Sequence, residues 1–271
     1  GPAVMSPRPT PGGARPDGSA SFDSVLRDLH HIRDTARQSE DRNGYFAALY
    51  AQVTAAVALR CADGRFDDAA RMEEFVDRFA RRYTDAYRAH TAEMPVTKAW
   101  ALAFQTARSS EPLVVQHLLL GINAHIHLDL GVVVADMARA RSVPMDALAP
   151  DFGAINDVLA ELTDRCQAAV VAGSPLLAAA DVVLGDHDEA LTRFSLRVAR
   201  EGAWDFAMEL SRATVAGRDE LIDRRDASVA DVGRRLLTRA GPLHTSQRLA
   251  RALERSSVSQ VIDRLAAVDV S

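Results

Sequence analysis

Lysine is almost absent from this chain. Of 271 residues only Lys98 is a lysine, so arginine carries nearly all the positive charge. Acidic residues outnumber basic ones, 37 to 32, for a net charge of −5. A nucleic-acid binder presents a basic patch or stripe. Here the arginines alternate with Asp and Glu, as solvated helix faces do, and nucleic acid is not an expected partner. Two cysteines, Cys61 and Cys166, lack the paired spacing of a thiolate zinc knuckle and read as buried thiols in a reducing compartment. No stretch reaches 18 uncharged apolar residues, so no membrane span is expected. No charged start leads into an apolar run and cleavage site, so no signal peptide is expected and the location inferred is cytoplasmic. G-x-G-x-x-G, the P-loop, H-E-x-x-H and G-x-S-x-G are all missing, which leaves nucleotide-cradling and serine-hydrolase readings without support.

What is present is ordinary globular material, 48% apolar and 25% charged. Residues 1–20 are rich in proline and glycine and read as a disordered tail. From residue 21 onward apolar residues recur at helical spacing. Phe22, Leu26, Leu29 and Ile32 mark a first helix, and DRNGYF a turn in which Asn43-Gly44 allows positive φ. Helices follow over about Tyr45–Cys61, Asp67–His90 and Pro95–Arg108. Pro112 opens a long one to about Arg139. Beyond a loop around 144–151, further helices are expected at Ile155–Ala172, Pro175–Val183, Glu189–Thr214, Ser228–Arg239, Thr245–Arg255 and Ser257–Leu265. Few segments alternate with period two, and neither a linker nor a repeat divides the chain. The expected fold is all-α: a single multi-helix domain over 21–271, packed around a central apolar helix at about 112–139.

That central helix carries the unusual segment, QHLLLGINAHIHLDLG at Gln116–Gly131. A helix apolar nearly all round is buried, yet this one holds Asn123, His125, His127 and Asp129. Buried polar groups must be bonded to something. At about 100° per residue, His125 and Asp129 lie within about 40° of each other, with Gly121 one turn earlier. Asn123, His127 and Gln116 point the opposite way, so two polar clusters face two neighbours. His-x3-Asp on one face can offer an imidazole and a carboxylate to a metal. It can equally form a hydrogen-bonded pair, structural or acting as a general base with its orienting carboxylate. His30-x3-Asp34 has the same spacing in an ordinary amphipathic helix; the apolar surround is what singles out the central pair. A metal would need further ligands, and Glu73-x3-Asp77, Asp41 and Glu201-x3-Asp205 are the acidic candidates. Glu73, Asp77 and Glu201 join His125 and Asp129 in the expected ligand set. Surface helix chemistry with neighbouring arginines is the plainer account of each acid pair. Tyr45, Tyr50, Tyr83, Trp100, Phe104 and Trp204 are aromatic candidates for a pocket lining, or for core.

The strings DRNGYFAALY, FARRYTDAY, KAWALAFQTA and above all QHLLLGINAHIHLDLG resemble the bacterial family known as domain of unknown function 5995, over about Phe22–Leu210. The resemblance implies an all-helical protein with no settled activity. Occurrence of such proteins near natural-product genes in actinobacteria implies small-molecule chemistry. A fainter likeness is to helical zinc-dependent phospholipase C and related nucleases, whose His-x3-Asp pattern His125 and Asp129 match. Their N-terminal Trp ligand and second His-x3-Glu are missing here. Haem-oxygenase-like di-iron proteins are a similar helical comparison.

Three functional expectations stand. The first is an enzyme acting on a small, partly apolar molecule by metal-assisted hydrolysis or rearrangement, with Zn, Fe or Mn held by His125 and Asp129. The second is a metal-free cyclase or isomerase in which His125–Asp129 moves a proton. In either, Asn123, His127 or Tyr45 would serve the substrate. The third is a helical binding or scaffold protein whose polar network fixes helix register. The expected partner is a small-molecule substrate, with a homodimer left open.

Overall fold

Every regular element among the described residues is helical. The computed structural model of the chain describes residues 19–64, 66, 68–155, 157, 196–237 and 256–267. In α1 (Ser19–Gln38), Phe22, Val25, Leu29, Ile32 and Ala36 recur at three- and four-residue steps, and all are buried. The turn after it leads into α2 (Gly44–Ala62), and α3 (Ala69–Thr91) follows, with Asp68 capping the Arg71 N–H. Then come α4 (Lys98–Thr106), α5 (Val114–Ala124), one π-helical turn (His125–Asp129) and α6 (Leu130–Arg141). After a 3-10 turn at Met145–Leu148, the later elements are α7 (Leu196–Arg212), α8 (Val215–Leu237) and α9 (Val258–Ala266).

The expected single helical domain is present, and α5, the π turn and α6 run on as its central rod, Val114–Arg141. This rod touches α2, α3, α4, α7 and α8. By length and composition alone, the rod and Gly44–Ala62 are both apolar enough to cross a bilayer, contrary to the expectation from uncharged runs. In the rod, 78% of the most apolar window is buried inside the protein. The burial a membrane would supply is thus supplied by neighbouring helices.

Small residues set the closest approaches. A Cβ on Gly131 would stand 2.8 Å from the Ala203 carbonyl oxygen and 2.7 Å from Phe206, so α6 and α7 lie nearly in backbone contact. Asn43-Gly44 does not use positive φ as expected. Asn43 is right-handed, Gly44 starts α2, and Glu40 takes the left-handed conformation in that turn. Gly44 is needed for space instead, since a Cβ there would meet Ile262 at 2.5 Å and Ala36 at 2.8 Å.

Helix α8 starts at Val215, well before the expected Ser228; its first half, VAGRDELIDRRD, is dense in charge, so apolar spacing gives little sign of it in the sequence. The helix α4 has no side-chain cap from Thr97. Its first N–H groups, on Lys98 and Ala99, instead donate to the Asp226 carboxylate of α8 at 2.7 and 2.9 Å. Asp226→Ala is expected to cost about 1–2 kcal/mol, read from urea unfolding, with Asp226→Asn losing less. The expected helices 158–172, 175–183 and 245–255, Cys166, and the tail up to residue 18 lie outside the described residues; Ser19 and Ala20 already belong to α1.

Candidate functional site

The π turn lies at the centre of the rod and contains both members of the singled-out pair. Its wider winding is marked by the Leu130 N–H donating to the His125 carbonyl, five residues back. Such turns insert one residue into a helix and recur at functional sites. His125 is 2% exposed and Asp129 is fully buried. Their side chains meet, with His125 Nδ1 3.2 Å from Asp129 Oδ2.

Asp129 is also held from two other helices. Trp100 Nε1 of α4 donates to Oδ2 at 2.9 Å, and Arg82 Nε of α3 donates to Oδ1 at 3.1 Å. An acceptor with donors on both oxygens is an ionised carboxylate, and it fixes the proton of a neutral His125 on Nδ1. Burial holds the His125 imidazole below its ordinary pKa; the hydrogen bond and charge of Asp129 pull the other way, and Arg82 adds to the lowering. Nε2 therefore carries a free lone pair, and it has no hydrogen-bond partner among the described residues. Around it are rings. Phe79 stacks on the imidazole at 3.7 Å and 9°, Tyr50 meets it edge-on at 4.8 Å, and Phe46 and Trp100 stand at 5.8 and 6.1 Å. Tyr50 and Phe79 also line a narrow apolar gap with a cavity volume of about 30 Å³, shared with Val53, Val57, Phe75 and Leu130.

Gly121 makes this cage possible. A Cβ there would lie 2.7 Å from the Phe46 ring, so the missing side chain makes room for Phe46.

The second polar cluster faces α8, as the wheel implies. His127 Nδ1 bonds Asn123 Oδ1 at 2.8 Å, and Asn123 Nδ2 donates to the Val229 carbonyl at 2.8 Å. One heptad earlier on the rod, Gln116 Nε2 donates to the Leu236 carbonyl, one heptad later on α8, at 2.9 Å. The two amides thus register α8 antiparallel to the rod. Arg225 of α8 donates to the His127 carbonyl at 2.8 Å. Burial, then the Arg225 charge, lower the His127 pKa to about 4.

The remaining candidates are not gathered at His125. Asp77 pairs with Arg81 one turn on, at 2.8 Å. Glu73 lies near Cys61, whose thiol burial and that carboxylate push up to about 12. Glu201 is exposed on α7. The inward face of α3 is Met72, Val76, Phe79, Ala80, Tyr83 and Tyr87, which turns Glu73 and Asp77 aside. Among the described residues no three His, Cys, Asp or Glu side chains converge as a metal centre requires. Tyr45 packs against His117, ring centroids 5.9 Å apart, on the α9 side of α2. Asp41 bonds Asn43, and Asp34 goes to Arg33 rather than His30. Trp204 packs on Phe152. Sequence reasoning missed Arg82 as a holder of Asp129 and the π turn itself.

No curated protein and no solved structure matches the chain. Nothing in these comparisons supports the likeness to zinc-dependent phospholipase C or a metal fold. One family model matches, over residues 22–239 and hence most of the chain, and it includes the whole central rod. The chain belongs to the family of unknown function DUF5995.

Proposed function

We propose that this protein is an enzyme that moves a proton on a small, largely apolar molecule, with His125 Nε2 as the base. The observation that carries this reading is a buried imidazole nitrogen without a partner, on a ring whose other nitrogen is fixed by an anchored carboxylate. Leaving a buried acceptor unbonded costs free energy that a purely structural network would avoid. Positioned imidazole–carboxylate pairs are the usual way to hold a base in one tautomer. The apolar lining beside Tyr50 and Phe79 favours an apolar substrate, which would have to part these rings to reach Nε2. Support leans to the metal-free form over metal-assisted hydrolysis, because both Asp129 oxygens already accept hydrogen bonds.

Proton abstraction from carbon can be read without a known substrate. Wild-type protein incubated in D2O with an apolar metabolite extract should place deuterium in at least one metabolite, by mass spectrometry. His125→Gln should remain folded and leave that metabolite unlabelled. Labelling that is absent with the wild type, or equal with the variant, would remove His125 as a carbon base and favour a structural pair.

A further inference from the structure

Where α6 and α7 end and α8 begins, the bundle leaves open space. The cavity there has a volume of about 520 Å³, against about 30 Å³ for the gap beside Tyr50. Small-molecule sites run from about 300 to 1,000 Å³. Ala135, the lining residue nearest His125 in sequence, is ten residues on, roughly 15 Å along the rod. Proton transfer at His125 makes no use of this space. Two features of its lining point to what it holds.

The first is charge. Arg139 and Arg218 line the cavity, and no acidic residue does. Arg218 is 8% exposed and spends two donors inside the protein, one on the Leu210 carbonyl at 3.3 Å and one on Asp136. That ion pair is balanced. Arg139 is exposed at the end of α6, and whereas Arg141 is taken by Glu74, Arg139 has no carboxylate partner among the described residues. A guanidinium has five N–H donors, so both arginines have some to spare. Thr214 Oγ1 accepts from the Gly217 N–H at 3.2 Å, which leaves its own O–H to donate, and Ser142 brings a second hydroxyl. The carbonyls that would draw a cation are occupied. Ala138 and Arg139 accept from the Val143 and Ser142 N–H groups at 3.0 and 3.1 Å, and Leu210 from Ala213 at 3.3 Å. One unbalanced positive charge beside hydroxyl donors selects an anion.

The second is the rest of the wall, which is aliphatic. Val143, Pro144, Met145, Leu210, Ala213 and Val215 supply it, and no aromatic ring lines the cavity. Val215 is left 67% exposed. The thioether of Met145 is flexible and adapts to an irregular apolar chain.

We infer that this cavity binds a small amphiphilic anion, an acidic headgroup on a short aliphatic chain. Arg139 takes the headgroup together with the Ser142 and Thr214 hydroxyls and the spare N–H groups of Arg218, and the chain lies along Val143, Met145, Leu210 and Val215. The site stands apart from the proton-transfer reading, since binding is measured without turnover.

Octanoate, with octanamide as its neutral counterpart, tests this by NMR on protein labelled at the methionine methyls. Met145→Leu assigns the Met145 signal. Octanoate should shift that signal saturably and leave Met72, in the core between α2 and α3, unmoved. Octanamide should bind about tenfold or more weakly. Affinity should rise about two- to fourfold per methylene from butyrate to octanoate. Octyl phosphate, run alongside, distinguishes a phosphate head from a carboxylate one. Arg139→Gln should reduce octanoate affinity to the octanamide level; the residue is exposed and no ion pair is lost, so the variant should fold as the wild type does. Ala213→Leu, which narrows the cavity without touching its charge, should weaken octanoate and octanamide alike. No saturable shift of Met145 by either anion, equal binding of octanoate and octanamide, or unchanged octanoate affinity in Arg139→Gln would each overturn the inference.

Discussion

Asp129→Ala should lower the free energy of unfolding by about 3–5 kcal/mol, the cost typical of stripping one partner from a buried ionic network. Three donors converge on this carboxylate from three positions: Trp100 Nε1, Arg82 Nε and His125 Nδ1. Trp100 and His125 are each 2% exposed, so neither can turn to water when the acceptor is removed. Arg82 can, with 36% of its side chain exposed, which keeps the loss toward the lower end. The substitution also leaves a void where Phe79, Tyr83 and Trp100 press on the rod. Asp129→Asn keeps one acceptor oxygen but turns an amide N–H toward a donor, and should lose about half as much. Urea unfolding at pH 7 measures both. A loss under about 1 kcal/mol for the alanine variant would mean that the three donors find other partners, and that Asp129 does not organise the site.

The same network shows what the sequence could and could not disclose. The division of the rod into two polar faces is legible because residues four apart share a side of any helix, α or π; His125 with Asp129 and Asn123 with His127 are both such pairs. The π turn leaves no comparable mark. It inserts one residue of phase, and in a segment apolar on every side the shifted pattern reads like the unshifted one. Spacing alone does not make a site either: His30 and Asp34 repeat it, yet Asp34 is taken by the adjacent Arg33. The partners that give Asp129 its role come from α3 and α4, 47 and 29 residues away. Which face of those helices meets the rod is decided by packing of Tyr83, Phe79 and Trp100, not by any local motif. For the acid pair on α3 the plainer expectation describes what is found, since Asp77 lies beside Arg81 on the outward side. The amide contacts of Asn123 and Gln116 with backbone carbonyls of α8 were equally out of reach. A carbonyl acceptor has no sequence signature.

Acid should destabilise the protein well before its carboxylates titrate, and His127 is the main reason. The fold holds this imidazole neutral, with its pKa lowered from 6.5 to about 4 by burial and by Arg225. Its Nδ1–H donates to Asn123 Oδ1, since the Asn123 amide N–H is spent on the Val229 carbonyl. Below pH 6.5 the unfolded chain takes up a proton that the folded chain refuses. The unfolded state then binds more protons, so the stability contribution is complete above that pH and is lost as pH falls toward the folded value. The loss amounts to roughly 2–3 kcal/mol by pH 4.5. His125, also held low by burial, acts in the same direction. Glu74, whose burial is outweighed by Arg141 and Arg78, and Asp263, held low by Arg37, begin to lose their contribution only as pH falls to their ordinary values of 4.5 and 3.8, which leaves most of the drop above pH 4.5 to the histidines. Chemical unfolding at pH 7 and pH 4.5 should show the drop. In His127→Asn, whose amide can replace the Nδ1–H donor without titrating, the drop should shrink by about 2 kcal/mol. An identical drop in wild type and variant would assign the acid sensitivity to other groups and make the His127–Asn123 contact a spectator of the titration. A smaller drop together with an unchanged stability at pH 7 would locate the sensitivity in the imidazole charge itself, pressed against Arg225 where α8 crosses the π turn.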